Sequence, residues 1–305
     1  MAFSNSIEQF NGLTVVDFEG ENNWQGPGVA YRLREEYEDE VSIKDRLDAL
    51  LQCDGVDKLT TLIIGAWSGA CEGGSSEGLI ADLVAAAPRL PALQALFIGE
   101  MTFEECEISW IVQSDLSPVL SAFPKLQTLR IRGGSELSFS RVQNSGLREL
   151  AIEAGGIDRS VLRQIFLCDF PNLEHLELML GDGGYGFDGS PEDLQPVLSG
   201  RLYPNLKFLG LMNSEIVNDI APVVVNSPVV ERIKVLDLSG GNLDNTGIAS
   251  LHALSEHANL ERLNISHHYC SELAVRELKA ALSCEVDASD PQEADDEWRP
   301  ILHAE

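Results

Sequence analysis

The feature that most constrains the fold is a short apolar pattern that returns eight times along the chain. Each copy has an apolar residue, two variable positions, a leucine, one variable position, and then leucine or isoleucine. The copies are Leu59-Leu62-Ile64, Leu93-Leu96-Ile98, Leu126-Leu129-Ile131, Leu147-Leu150-Ile152, Leu173-Leu176-Leu178, Leu206-Leu209-Leu211, Ile233-Leu236-Leu238 and Leu260-Leu263-Ile265. Their starts are separated by 34, 33, 21, 26, 33, 27 and 27 residues. A unit of this size cannot bury its apolar face alone, so the pattern predicts stacked repeats that share one core.

Each copy predicts a strand, and the segments between copies predict helices. The last two apolar positions alternate with period two, so they lie on one face of a strand. Helical patterns separate the copies at 79–87, 158–168, 216–226, 246–257 and 271–282. Because strand–helix–strand units in one sheet make right-handed parallel crossovers, we predict an α/β right-handed leucine-rich-repeat solenoid. Parallel strands form its concave face, helices its convex face, and the repeats are irregular. The 27-residue steps resemble the ribonuclease-inhibitor type of repeat.

One departure from regular repeats concerns the asparagine that normally follows the strand by three positions. Those positions hold Trp67, Met101, Gly134, Gly155, Gly181, Ser214, Gly241 and His268. We therefore expect the loop backbone groups to be satisfied by other means.

The repeats divide the chain into three predicted parts: an N-terminal cap at 1–55, about eight repeats at 56–284, and an acidic C-terminal cap or tail at 285–305. Within the first part, 13–18 and 29–33 look like strands, and Ser42 with Asp45 signals a capped helix that runs through Leu51. In the last part Trp298 and Ile301 offer apolar anchors. An acidic arm that binds a partner is the alternative for this tail.

Charge limits the classes of partner. Lys and Arg number 21 against 49 Asp and Glu, a formal net charge of −28. Such a chain repels phosphate backbones and anionic membranes, so we expect neither nucleic acid nor membrane as a partner. A basic partner is attracted, although an acidic surface that only secures solubility is the simpler alternative.

The compartment is predicted from what the sequence lacks. No apolar run reaches the length of a membrane span and the first ten residues lack a secretory pattern. Six scattered cysteines with no CxxC spacing indicate no disulfide framework and no zinc site. We therefore expect a reducing cytoplasm.

Two parts of the chain resemble a particular bacterial family of leucine-rich-repeat proteins. They are the segment ISWIVQSD at 108–115 with the following LRIRGG at 129–134, and the ending with His267-His268-Tyr269 and Asp296-Glu297-Trp298-Arg299. Some members of that family lie in gene clusters beside radical-SAM, ATP-grasp and sulfatase-like genes. The resemblance implies an accessory role in a modification pathway, and it carries over no catalytic residue.

The variable strand positions supply candidate binding residues on the concave face. They are Phe97, Arg130, Arg132, Glu149, His175, Glu177, Phe208, Asp237 and Arg262. Exposed Phe97 and Phe208 would favour an interface, because aromatic side chains anchor interfaces. The alternative is a face of self-paired ions, each worth little.

Three long insertions follow strands and are expected to project from one rim. They are 67–78, 100–115 and 181–193, and they combine acidic residues with the aromatic candidates Trp67, Trp110, Tyr185 and Phe187. Loops on a rigid scaffold often carry function. A mobile surface without function is the alternative.

The sequence predicts a non-catalytic scaffold that binds a protein or peptide, with no cofactor, no metal and no catalytic residue. It contains no nucleophile elbow, zinc-protease or kinase motif. Two alternatives remain open. One is an inhibitor or immunity-type protein that clamps a basic enzyme. The other is a rim-loop enzyme or metal module, for which Asp182, Asp188, Glu192 and Asp193 would supply calcium ligands or Cys71 a reactive thiol.

Overall fold

The computed structural model describes residues 3–35, 41–257, 259–295 and 298–304, and the chain forms two compact units. The first unit comprises Met1–Glu153 and Leu167–Phe170, and the second comprises Ala154–Phe166 and Pro171–Glu305.

The first unit is built on strands that follow one another in chain order. Among its described residues the strands are β1 Gln9–Phe10, β2 Leu13–Asp17, β3 Ala30–Leu33, β4 Thr61–Ile64, β5 Ala95–Ile98, β6 Thr128–Arg132 and β7 Glu149–Glu153. β1 and β2 are antiparallel, and each later strand lies parallel to the one before it. The connecting helices are α1 Ile43–Leu50, α2 Glu77–Ala86 and α3 Ser117–Ala122.

The second unit continues the same plan. Its described strands are β8 His175–Gly181, β9 Phe208–Ser214, β10 Val235–Asp237, β11 Arg262–Asn264 and β12 Glu285–Asp287, and all neighbours are parallel. Its helices are α4 Arg159–Ile165, α5 Gln195–Leu198, α6 Val217–Val225, α7 Asn245–Leu251 and α8 Glu272–Ala281. α6 packs on α7 and α7 on α8, so strands stack on one side and helices on the other.

The apolar triads explain this arrangement. All 24 triad residues are buried, and none exposes more than 4% of its surface. The central leucine of each predicted copy lies in one of the strands β4 to β11. The prediction of an open leucine-rich-repeat solenoid with parallel strands and connecting helices is thus confirmed.

The predicted helices are found within one to six residues of their expected bounds. α1 begins as predicted, because the Ser42 side chain accepts the Asp45 N–H while the Asp45 side chain accepts the Ser42 N–H. Two short helices, α3 and α5, were not predicted. With six and four residues, they are too short to show a helical period.

Other polar side chains replace the missing asparagines, as expected. Asn144 accepts the N–H groups of Gly146 and Leu147 through Oδ1 and donates Nδ2 to the carbonyl of Leu120. His268 stands at one of the eight positions itself, and its Nδ1 accepts the N–H of Cys270 at 3.1 Å. Buried loop backbone is thereby satisfied without a regular ladder.

The end of the chain folds back onto the second unit. Ile301 is buried and the Leu302 N–H donates to the carbonyl of Gly240 at 2.8 Å. The expectation that Trp298 is an apolar anchor is wrong, because 67% of its surface is exposed. Asp296 and Glu297 of the predicted acidic tail lie outside the described residues. No helix in the described part of the chain combines the length and apolarity needed to cross a bilayer.

Candidate functional site: strand faces and rim loops

Strand register arranges the side chains of the second unit's open face in two rows. The first row crosses β8 to β12 through His175, Phe208, Val235, Arg262 and Glu285. The second row, two positions further along each strand, is Glu177, Gly210, Asp237, Asn264 and Asp287. Every member of the first row is half-buried or exposed. We name these ten residues the open face.

An aromatic pair anchors one end of the open face. The rings of His175 and Phe208 stack with centroids 3.8 Å apart and planes at 8°. His175 Nε2 also lies 3.1 Å from Glu177 Oε2. The pair has its rotamers fixed by stacking and yet stays half exposed, which is the kind of pre-ordered apolar surface that anchors an interface.

Carboxylates dominate the rest of the open face. Asp237 is buried, and its carboxyl accepts hydrogen bonds from Ser239 N–H and from Asn264 Nδ2 at 2.9 and 2.8 Å. Burial raises the pKa of the Asp237 carboxyl, while these hydrogen bonds lower it in part. Arg262 pairs with Asp287 at 2.9 Å and is 44% exposed in its side chain. The face therefore holds four carboxylates against one arginine.

The strand face of the first unit is covered. The candidate residue Phe97 does not meet the condition of exposure: it is buried at 1% because Phe10 of the N-terminal β-hairpin lies on it, with ring centroids 5.8 Å apart. An open cavity of about 260 Å³ borders this contact, between Gln9 and Asn11 of the hairpin and Arg130 of β6. The two candidate phenylalanines thus differ: Phe97 is a core residue and Phe208 a surface residue.

The two arginines of β6 are paired with glutamates of the neighbouring strand β7. Arg132 is buried and bonds Glu153 at 2.7 Å, while Arg130 bonds Glu153 at 2.9 Å and approaches Glu149 at 3.7 Å. For these side chains the alternative of self-paired ions fits the structure. A buried pair such as Arg132 with Glu153 is costly to break, because either partner alone is left charged in the core.

The first two rim loops are joined by a disulfide that the sequence analysis did not predict. Cys71 and Cys106 are bonded, with Cα atoms 5.4 Å apart. Their 35-residue separation gave no signal, because adjacent repeats bring the two loops together. The hypothesis of a reactive Cys71 thiol is wrong, since the sulfur is already bonded.

The tryptophans of these loops have opposite roles. Trp67 is buried and donates Nε1–H to the carbonyl of Gly74 at 2.9 Å, so it holds its own loop. Trp110 is 60% exposed. Trp110 is therefore the better candidate contact of the two.

The third rim loop is held by arginines of α4. Asp188 bonds Arg159 at 2.7 Å, and Asp193 bonds Arg163 at 2.8 Å. Phe187 is buried at 4% whereas Tyr185 is half exposed. These carboxylates are spread over two cations, and the part of the chain that the structure describes contains no grouping of three or more His, Cys, Asp or Glu suited to a metal ion.

The sequence analysis missed the residues that cover the first unit's face. Phe3, Ile7 and Phe10 all lie on it. The signal that identifies them is Asn11-Gly12 between Phe10 and Leu13, a strong indicator of a tight hairpin. Both turn residues have positive φ, 50° and 73°, as a type I′ turn requires.

Comparison with known proteins places this chain beside solved structures. No protein-family model and no curated protein matches the chain. A crystal structure of a Bacteroides fragilis protein aligns with a TM-score of 0.82 and 32% identity, over 90% of this chain and 76% of that one. An internalin from Listeria monocytogenes aligns over 87% of this chain and 69% of its own length, with 14% identity and a TM-score of 0.42.

Proposed function

The chain belongs to the same family as the Bacteroides fragilis protein, and from that premise we propose that it is a non-catalytic scaffold that binds a protein or peptide on the open face. The leucine-rich-repeat fold is commonly a protein-interaction scaffold. The observation that carries the proposal is the stacked pair of His175 and Phe208, half exposed on a rigid sheet.

The charge of the open face selects the partner. Four carboxylates against Arg262 leave the face negative even though Arg262 pairs with Asp287. The whole chain carries −28. Complementary charge raises association rates and suppresses like-charged partners, so the proposed partner is basic and is neither nucleic acid nor an anionic membrane.

The acidic third rim loop, in the same unit as the open face, is a further candidate contact in the proposal, and its Tyr185 is half exposed. Trp110, which is 60% exposed, is a separate candidate contact in the first unit. An exposed aromatic side chain beside carboxylates suits a basic surface with an apolar pocket.

A second candidate is an inhibitor that clamps a basic enzyme. The same charge supports it, because an acidic inhibitor covers a basic active-site cleft by steered association. The two candidates differ in one measurable respect. An inhibitor abolishes the activity of its partner at one-to-one stoichiometry, whereas a scaffold leaves that activity in place.

The proposed compartment is the cytoplasm, and the proposed pathway role is an accessory one in a modification pathway. Four cysteines are free thiols, of which Cys53, Cys168 and Cys270 are buried, and free thiols suit the cytoplasm. The Cys71–Cys106 disulfide favours an oxidising compartment instead. Alkylation of the protein in intact cells, followed by mass spectrometry, decides between them. An accessory role in a modification pathway and the ribonuclease-inhibitor type of repeat rest on resemblance alone.

The test is capture of partners with matched variants. The natural chain, Phe208→Ala and Leu273→Ala are immobilised and exposed to a lysate of the source organism at low salt, then eluted with a salt gradient. Leu273 is 51% exposed on α8 and controls for a general loss of surface apolar area. We expect a basic protein that elutes at moderate salt from the natural chain and from Leu273→Ala but is lost from Phe208→Ala. Equal capture by all three baits would place binding elsewhere and contradict the proposal.

A further inference from the structure

The N-terminal segment crosses the strand face of the first unit. After β1 and the Asn11-Gly12 turn, β2 lies parallel to β3. The chain before the turn lies against the face, where Phe10 joins Ala30, Ile63, Ala95 and Phe97 in a cluster on which Ile7, Leu13 and Val15 also pack. An apolar segment thus lies where the other unit has an open face.

Further contacts hold the segment upstream of Phe10. The Phe3 ring lies over the Arg132 guanidinium, 3.7 Å from ring centroid to Cζ. The carbonyl of Phe3 accepts the N–H of Phe103 at 2.8 Å. The Ile7 N–H donates to Glu100 Oε1 at 2.8 Å, and the Ile7 carbonyl accepts from Arg32 Nη1 at 3.5 Å. Three of these four contacts bind backbone atoms, which is how grooves hold extended segments without reading each side chain.

The side chains that contact the segment are themselves held by ion pairs. Glu100 is buried at 1% and bonds Arg32 at 2.9 Å, and Arg32 bonds Asp17 at 2.6 Å. Arg132 is buried and bonds Glu153 at 2.7 Å. These side chains pair with one another as well as with the segment, and they form a polar floor beneath it.

The segment fills the face incompletely. A cavity of about 260 Å³ lies between Gln9, Phe10 and Asn11 on the segment and Thr128, Arg130 and Glu149 on the strands. Protein cores are close-packed, so this cavity is unusual for a filled face. It is as large as several methylene groups, and a larger side chain at the position of Phe10 would have room to enter it. Phe3 and Ile7 remain half exposed.

We propose that this face is a peptide groove for an extended partner segment with an aromatic residue, an aliphatic residue four positions on and an aromatic residue three positions after that. Residues 3–10 are its resident occupant, and a partner segment of the same pattern displaces them. The backbone of the partner bonds Glu100 and Arg32, as that of the resident segment does at Ile7. This groove is separate from the open face, and the inference does not rest on the function proposed for that face.

The first experiment uses the unmodified full chain and hydrogen exchange. Displacement requires the segment to open without unfolding the unit, and such local opening appears as faster exchange. We expect the amides of Ile7 and Phe103 to exchange at least about 100-fold faster than those of β4 to β6. Protection of these two amides within about tenfold of the strand amides would make the segment a fixed part of the core and overturn the proposal.

The second experiment measures the binding of a free peptide that has the sequence of the N-terminal segment. The probe is a labelled synthetic peptide with the sequence of residues 1–12. In the natural chain it competes with a tethered copy whose effective concentration is in the millimolar range. A full chain with Phe3→Ala, Ile7→Ala and Phe10→Ala should bind it at least about tenfold tighter than the natural chain, whereas Gln9→Ala, exposed on the same segment, should match the natural chain.

Controls make each outcome decisive. A peptide in which the three anchor positions are alanine should bind no variant. Circular dichroism shows whether the triple variant is folded; a folded variant that binds no peptide contradicts a groove. If that variant does not fold, the exchange rates decide alone. Dimers that exchange their N-terminal segments would assign the groove to a second copy and overturn the partner assignment.

Discussion

Replacement of Phe97 by alanine tests whether the N-terminal hairpin covers the first unit's face. Phe97 is 1% exposed, and it contacts the Phe10 ring and lies 5.4 Å from the Arg132 guanidinium. Truncation of a fully buried phenylalanine costs about 3 to 5 kcal/mol. Phe208 is half exposed, so Phe208→Ala should cost about 1 kcal/mol, less than the transfer energy of a fully buried ring.

The assay is equilibrium unfolding in guanidinium chloride with two probes. Three of the four tryptophans, Trp24, Trp67 and Trp110, lie in the first unit, so their fluorescence reports on it, while circular dichroism reports on both units. We expect Phe97→Ala to lower the fluorescence midpoint strongly. If it costs no more than Phe208→Ala, Phe97 is a surface residue and the reasoning on the hairpin is refuted.

A double-mutant cycle isolates the contact between the two rings. Phe10→Ala and Phe97→Ala should be non-additive by about 0.5 to 1.5 kcal/mol, the usual coupling of an aromatic pair. Additive effects would show that the rings do not meet in solution.

Three further predictions concern single features. Gly181→Ala should destabilise the second unit by at least about 3 kcal/mol, because φ is 91° and a β-carbon would lie 2.0 Å from a carbonyl oxygen. Gly186→Ala is the control: its φ is 104° but the space around it is open, so it should cost about 1 kcal/mol. Equal unfolding midpoints for the two variants would contradict this. The raised pKa of the Asp237 carboxyl means that the folded state binds the proton more tightly, so the stability that this group contributes is present below pH 3.8 and is lost as pH rises through the raised pKa. In urea titrations, the stability of Asp237→Asn relative to the natural chain should therefore increase with pH over that window. A stability difference that does not change with pH would contradict this. Reduction should lower the stability of the first unit by about 2 to 4 kcal/mol, and a Cys71→Ser, Cys106→Ser chain should show no response to reductant; an identical response in both chains would exclude the disulfide.

The repeats were predictable because their physics is local. A triad such as Leu126-Leu129-Ile131 predicts both a strand and its buried face from six residues, and its three side chains are all completely buried. The capped start of α1 at Ser42 was equally predictable from the sequence. Periodicity reports on each repeat alone, and that suffices where the fold is a stack of such units.

Much of the candidate site depends on contacts between distant residues and was therefore hidden. Phe97 and Phe208 both occupy variable strand positions, yet one is buried by a segment 87 residues earlier, at Phe10, and the other is not. The Cys71–Cys106 disulfide likewise arises from stacking of neighbouring loops. The sequence pattern predicts which side chains share a strand face, but it does not say what lies above them.

Photocrosslinking from the open face tests the central claim most directly. Benzoylphenylalanine replaces Phe208 in one chain and the helix residue Leu273 in a matched control, and both chains are irradiated in cells that make their natural partners. The account predicts one crosslinked basic protein from position 208, weakened by high salt in lysate, and none from position 273. The same adduct from both positions, or an adduct from position 273 alone, would contradict binding on the open face.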